Sequence, residues 1–166
     1  MNILPLSKKY LDQTIQLAQE IFPGDAEHFW NPDRSFKFSL RLIDDPGLWK
    51  ERNLDKIGYW IVLNDVDEVV GVTGLYRTNE DPEGLVWLGW YCVRADQRGK
   101  GLGRKLLEWT IEKAKSEGFK ILKLYTSTDP NEARAQELYE KMGFKLIGEE
   151  QEKDEKYKTL YRERVL

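Results

Sequence analysis

Apolar positions along this 166-residue chain recur with two spacings, every second residue and every three to four, and each spacing marks a different element. Asn2-Ile3-Leu4 reads as a short strand, and Ser7 stands where it would cap a helix carrying Leu11, Ile15, Ala18, Ile21 and Phe22 on one face, stopped by Pro23-Gly24. A second helix is expected from Asn31-Pro32 to about Ile43, with Phe36, Leu40 and Ile43 on one face, before Asp45-Pro46-Gly47 breaks the chain. Residues 59–63 and 69–76, joined through Asn64-Asp65, read as an antiparallel hairpin. After Asp81-Pro82-Glu83-Gly84, the run 85–93 is apolar at both alternating positions, as in a central strand covered on both faces.

Helical spacing returns in Leu102, Leu106, Leu107, Ile111 and Ala114, and Gly118 ends that helix. A strand over 121–126 follows, and Asn131 opens a helix carrying Ala135, Leu138, Tyr139 and Met142, closed by Gly143. Strands near 145–148 and 158–165 complete the chain. The order of elements implies an α/β (α+β) fold, a mixed central sheet of about six to seven strands flanked by about four helices. No linker or internal repeat interrupts it, so residues 1–166 are read as one domain.

Composition narrows the chemistry. The net charge of -3 and pI near 5.4 speak against a nucleic-acid binder, whose surface needs a large positive excess. The longest strongly apolar run has nine residues, against roughly 20 for a membrane-spanning helix, and no secretory signal opens the chain. A single cysteine, Cys92, excludes a disulfide framework and a thiolate metal cluster and fits a reducing cytoplasm. It has no histidine beside it, so it reads as a small core residue rather than a nucleophile.

The most informative segment follows the run 85–93. Arg98-Gly99-Lys100-Gly101-Leu102-Gly103 places three glycines in five positions directly before a helix, whose first amides lack intrahelical partners and carry the positive end of its dipole. Arg98, Lys100, Arg104 and Lys105 add cationic side chains, which suits a ligand with several phosphates. Two other phosphate loops fail. The dinucleotide fingerprint would need glycine at Arg104 or at Leu106, and the nucleoside-triphosphate loop needs serine or threonine where Gly101 follows Gly99-Lys100. A tight strand-to-helix turn without ligand is the plainer alternative.

The segment resembles the R/Q-x-x-G-x-G/A motif of the GNAT (GCN5-related) N-acetyltransferase family. Asn131 with Leu138-Tyr139-Glu140-Lys141-Met142-Gly143-Phe144 resembles that family's N-x(7)-Y-x(3)-GF segment, and the likeness extends over residues 59–148. It implies acetyl-coenzyme A as cosubstrate, with Tyr91, Cys92 and Val93 offering backbone groups to the pantetheine arm. Arg98, Gly99, Lys100, Gly101, Leu102, Gly103 and Arg104 would surround the pyrophosphate, and Asn131 would bond the arm. Tyr139 matches the family's general acid, and a backbone N–H near Cys92 or Val93 would meet the developing oxyanion.

The implied activity is N-acetyltransfer to a primary amine of a small molecule or peptide, by direct attack. No metal, nucleic acid or membrane enters, and a homodimer is left open. Where many relatives carry a glutamate base, the strands here read Val86-Trp87-Leu88-Gly89-Trp90 and Lys123-Leu124-Tyr125-Thr126. Water, Asp129 or Glu149 would take the proton instead. That departure keeps a catalytically silent acyl-CoA-binding module open as an alternative, and a nucleotide-binding regulator as a third. His28 has no recognisable ligand partner. The acidic run Glu149, Glu150, Glu152, Asp154 and Glu155 reads as a solvated loop or a lure for a cationic amine. Trp30, Trp49, Trp87 and Trp90 read as core or as the wall of an acceptor groove.

Overall fold

The computed structural model describes residues 1–23, 31–43, 53–151 and 156–166. Among the described residues eight strands form one mixed sheet: β1 Asn2–Pro5, β2 Leu54–Leu63, β3 Val69–Thr78, β4 Leu85–Leu88, β5 Cys92–Val93, β6 Ile121–Ser127, β7 Lys145–Glu150 and β8 Thr159–Val165. Its order is β1-β2-β3-β4-β6-β8-β7, with β5 paired to β3; only β4 and β6 run parallel. Among the described residues the α-helices are α1 Leu11–Ile21, α2 Pro32–Ser39, α3 Leu102–Ser116 and α4 Ala133–Lys141. None is long and apolar enough to cross a membrane.

Strand alternation divides the core into two layers. On one face α1 and α2 bring Leu17, Ala18 and Phe36 against Tyr59, Ile61, Val72 and Cys92. On the other, Leu107, Ile111 and Ala114 of α3 and Tyr139 of α4 close over Leu75, Val86, Leu122 and Leu124. Ile61, Leu75, Leu107 and Leu122 are wholly buried, each contributing about 1.5–3 kcal/mol of apolar burial. Thr110 sits on the apolar face of α3, its hydroxyl donating to Leu106 O (2.8 Å) and sharing a 2.8 Å bond with Thr73 on β3.

Helix ends follow the chain's turn chemistry. Gly118 (φ 87°) and Gly143 (φ 81°) close α3 and α4 in left-handed turns, with Phe119 N–H reaching Ala114 O and Phe144 N–H reaching Tyr139 O. The second helix ends at Ser39 rather than near Ile43 because Arg41 takes the same left-handed turn (φ 55°). Leu42 N–H then bonds Lys37 O and Arg41 N–H bonds Phe38 O. Ser7 makes no side-chain cap; a 3-10 turn, Lys8–Tyr10, precedes α1. Gly24, Asp45, Pro46 and Gly47 lie outside the described residues.

The run 85–93 is two strands, β4 and β5, not one. Gly89 N–H still bonds Gly74 O (2.8 Å), but the next two side chains are drawn to opposite layers. Trp90 Nε1 donates to Ser35 of α2 (2.9 Å) with its ring against Phe22, whereas the Tyr91 hydroxyl donates to Gly103 O (2.7 Å) at the start of α3. The register toward β3 changes by one residue between Leu75↔Leu88 and Val72↔Cys92, so the chain accommodates one extra residue at the break, and these two anchors hold it there.

Tyr59 fills the space left by two glycines at this break. A Cβ on Gly74 would lie 2.3 Å from Cε1 of Tyr59 and 3.1 Å from Gly58 O. Gly74→Ala is therefore expected to cost about 1–3 kcal/mol, read as a lower urea midpoint at constant slope. An unchanged midpoint would show that the ring has room to move.

Candidate functional site

β4 is paired on both edges, with β3 and, through Leu85↔Ile121, Val86↔Leu122 and Trp87↔Lys123, with β6. Beyond the break this symmetry is lost. β5 keeps only its β3 partners, Gly71↔Val93 and Val72↔Cys92, while β6 from Leu124 onward pairs only with β8. A wedge therefore separates β5 from the last four residues of β6.

Arg94 N–H bonds Val70 O (2.9 Å), so alternation along an antiparallel pair turns the backbone groups of Cys92 toward β3 and those of Tyr91 and Val93 toward the wedge. The Cys92 carbonyl accordingly lies 3.5 Å from a Cβ built on Gly71. Of the three residues expected to offer main-chain groups, the register leaves Tyr91 and Val93; those of Cys92 face Val72. Val93 O accepts from Arg98 Nε (3.1 Å), which fastens the glycine turn to the wedge edge.

In the turn, Gly99 (φ 75°) and Gly101 (φ 79°) hold left-handed backbone, and a Cβ on either would meet nothing within 4 Å. Gly101 caps α3 with no side chain, and the first helical bond runs from Lys105 N–H to Gly101 O. The amides of Leu102, Gly103 and Arg104 thus have no intrahelical acceptor and border open space, a fit for an oxyanion. Lys100 is exposed, as is Arg104, which pairs with Glu108 at 2.9 Å. Gly103 is needed for close approach, since a Cβ there would be 3.1 Å from the Tyr91 hydroxyl. The approach to the turn is fastened by Arg94, which pairs with Asp96 (2.8 Å) and Glu68 (3.0 Å); Arg94, then Gln97, hold the Asp96 carboxyl down to about 2.

Across the wedge lies α4. Tyr139 is buried, its ring 6.1 Å from that of Tyr91 and 5.9 Å from that of Phe144, and its hydroxyl has no hydrogen-bond partner among the described residues. Burial pushes its pKa well above the ordinary tyrosine range, with Tyr91, Glu132 and Cys92 adding in that order. Asn131 is exposed in a 3-10 turn, Pro130–Glu132, rather than in α4 itself; the capping side chain is Asp129, which accepts from Asn131 N–H (2.8 Å). Glu132 lies outside the motif residues read from the sequence. Its carboxylate accepts from the hydroxyls of Thr126 and Ser127 and from Ser127 N–H, tying the free end of β6 to α4. The signal was its seven-residue spacing from Tyr139, two helical turns on the same face.

Other candidates are engaged elsewhere. Glu149 pairs with Lys158 (2.6 Å) and Glu150 accepts from the Tyr161 hydroxyl (3.0 Å). No carboxylate projects from β4, and β6 carries none. His28, Trp30, Trp49, Glu152, Asp154 and Glu155 lie outside the described residues, among which no three His, Cys, Asp or Glu side chains cluster for a metal. Cys92 is a buried free thiol whose pKa burial pushes up to about 12, opposed by Arg98. A raised thiol pKa means scarce thiolate at pH 8. Iodoacetamide should label Cys92 slowly in the folded protein and at the ordinary rate in denaturant; rapid native labelling would contradict its burial.

The family model described as Acetyltransferase (GNAT) family matches residues 12–144. An uncharacterized N-acetyltransferase of Escherichia coli K12, YjgM, is 30% identical over 150 residues, 88% of this chain and 87% of its own. A probable spermine N(1)-acetyltransferase of Bacillus subtilis subsp. natto is 34% identical over 70 residues, 42% of this chain, so the match spans under half (45%) of that relative's length. The crystal structure of an aminoglycoside 6'-N-acetyltransferase complexed with coenzyme A superposes with a TM-score of 0.69 at 17% identity, covering 99% of this chain and 97% of that one, a likeness of fold. With its glycine turn at the mouth of α3 and its sheet opened beside β5, the chain belongs to the GNAT acetyltransferase family.

Proposed function

We propose that residues 1–166 form one acetyl-coenzyme A-dependent N-acetyltransferase domain that acetylates a primary amine of a small molecule or peptide by direct attack. The observation that carries this reading is the unpaired edge of β5 leading straight into free amides at the mouth of α3. The amides from Gly99 to Arg104, with Arg98, Lys100 and Arg104 around them, would hold the diphosphate. Tyr91 and Val93 would bond the pantetheine amides as an added strand does, and Asn131 would reach the same arm.

In the reaction the amine nitrogen bonds the thioester carbon, the carbon–sulfur bond breaks, and the acetyl oxygen draws on Val93 N–H while its charge is high. Tyr139 gives its proton to the departing sulfur and regains one from water. Its raised pKa keeps that proton in place up to and beyond pH 10. An alkyl ammonium, with pKa near 10.4, must lose a proton before it attacks. Without a carboxylate on β4 or β6, water at the Tyr91 carbonyl takes it. A buried thiol and no thiolate chemistry suit the cytoplasm, where Cys92 stays reduced.

Thiol release from acetyl-coenzyme A with a panel of amines tests the activity, and coenzyme A binding without release for any amine would favour a silent binding module. Tyr139→Phe should lower turnover by about 100-fold or more while coenzyme A affinity stays within about threefold. Equal turnover in both proteins removes Tyr139 from the role. Gly101→Glu should abolish coenzyme A binding with the circular dichroism spectrum retained, since it sets a carboxylate before the free amides; unchanged affinity would place the diphosphate elsewhere.

A further inference from the structure

Four aromatic rings cross the sheet in a row: Tyr76 of β3, Trp87 of β4, Tyr125 of β6 and Tyr161 of β8, with successive centroids 6.3, 6.5 and 6.4 Å apart. They project away from α3 and α4, because their neighbours Leu75, Val86 and Leu124 pack into that helical layer. Tyr125, 53% exposed, rises from the part of β6 that borders the wedge. The row thus crosses the closed end of the wedge, where β3, β4 and β6 are still paired, on the face opposite Tyr139, and runs outward across β8.

Its polar surroundings are mostly acidic. Asp81 accepts from the Trp87 indole N–H (2.8 Å), Glu150 from the Tyr161 hydroxyl, and Glu163 stands 4.0 Å from Lys123. Lys123 pairs with Glu163, and its ammonium lies over the Trp87 ring, 5.6 Å from the centroid. The chain therefore sets an alkyl ammonium of its own between an aromatic face and a carboxylate, the two contacts that together select an organic cation. A neutral aromatic acceptor would stack on the rings but gain nothing from Glu163, and an acidic acceptor would be repelled by it.

We propose that this row binds a second cationic centre of the acceptor, so that the substrate is an aliphatic diamine or longer oligoamine. One amino group enters the wedge and is acetylated, while the next ammonium rests on Trp87 and Tyr125 in the place that Lys123 fills in its absence. The proposal rests on the transferase reading, whose reaction it leaves unchanged.

Calorimetric titration of the full chain with 1,5-diaminopentane and with pentylamine reads the row without turnover. The diamine should bind about tenfold tighter, between the sizes of an exposed and a desolvated cation–π contact. Trp87→Leu, which keeps the position apolar but removes the indole face, and Tyr125→Leu, at an exposed position, should each bring the two affinities together. Lys123→Met should tighten the diamine severalfold and leave pentylamine unchanged, because it removes the resident rival. Equal affinities in the unaltered chain, a preference that survives both leucine variants, or a weaker diamine in Lys123→Met would each overturn the proposal. Coenzyme A titration and thiol release are read separately. A retained diamine preference without thiol release sinks the transferase reading alone, and thiol release with equal kcat/KM for both amines sinks the row alone.

Discussion

Between Leu88 and Cys92 the chain gives up its ladder with β6 while keeping the one with β3, and this asymmetry governs the rest of the structure. Main-chain groups left without partners away from water cost about 1–3 kcal/mol each. The break persists because side chains on either side of it are fixed. Trp90 is held to Ser35 in one layer and Tyr91 to Gly103 in the other, and Glu132 draws the end of β6 toward α4 through Thr126 and Ser127. The molecule thus keeps an open strand edge that an extended ligand can complete.

The same contacts align that edge with the mouth of α3. Tyr91 reaches Gly103, Arg98 reaches back to Val93, and the Thr73–Thr110 bond sets α3 on β3 next to β5. Free amides and open edge therefore belong to one rigid unit, which is what a ligand with a charged end and an amide-bearing tail requires. Preorganisation of this kind matters most in direct transfer, where the protein contributes position rather than a covalent intermediate.

Much of the fold was legible because its signals are local. Gly118 and Gly143 end helices where the spacing of apolar residues ends, and the glycine turn leads into α3, which begins at Leu102 with the apolar spacing and takes Gly103 into its first turn. The misses are all tertiary. Nothing in the apolar run 85–93 marks a break, since Gly89 lies among residues that suit a central strand; the break arises from Ser35 and Gly103, 55 and 12 residues away from their partners. Arg41 in a left-handed turn was equally hidden, because the cap uses backbone geometry that arginine does not advertise. Identifying Tyr91 and Val93 rather than Cys92 as the residues facing the wedge required the register, and register is invisible until the partner strand is known.

The aromatic row and the missing strand carboxylate have a common consequence. On β4, the side chain on the face away from α3 and α4 is an indole, Trp87, whose partner Asp81 is occupied by Thr78 and by the indole itself. Such a wall attracts a cation but takes no proton. A monoamine entering beside it would have to surrender its proton to water against a reference pKa near 10.4. In a diamine the two ammonium groups disfavour each other, so when one is held on the row the other loses its proton more readily. An acceptor with a second cation would thereby supply part of the activation that a glutamate on the strand would otherwise provide, and the indole that excludes such a base is the group that would hold that cation.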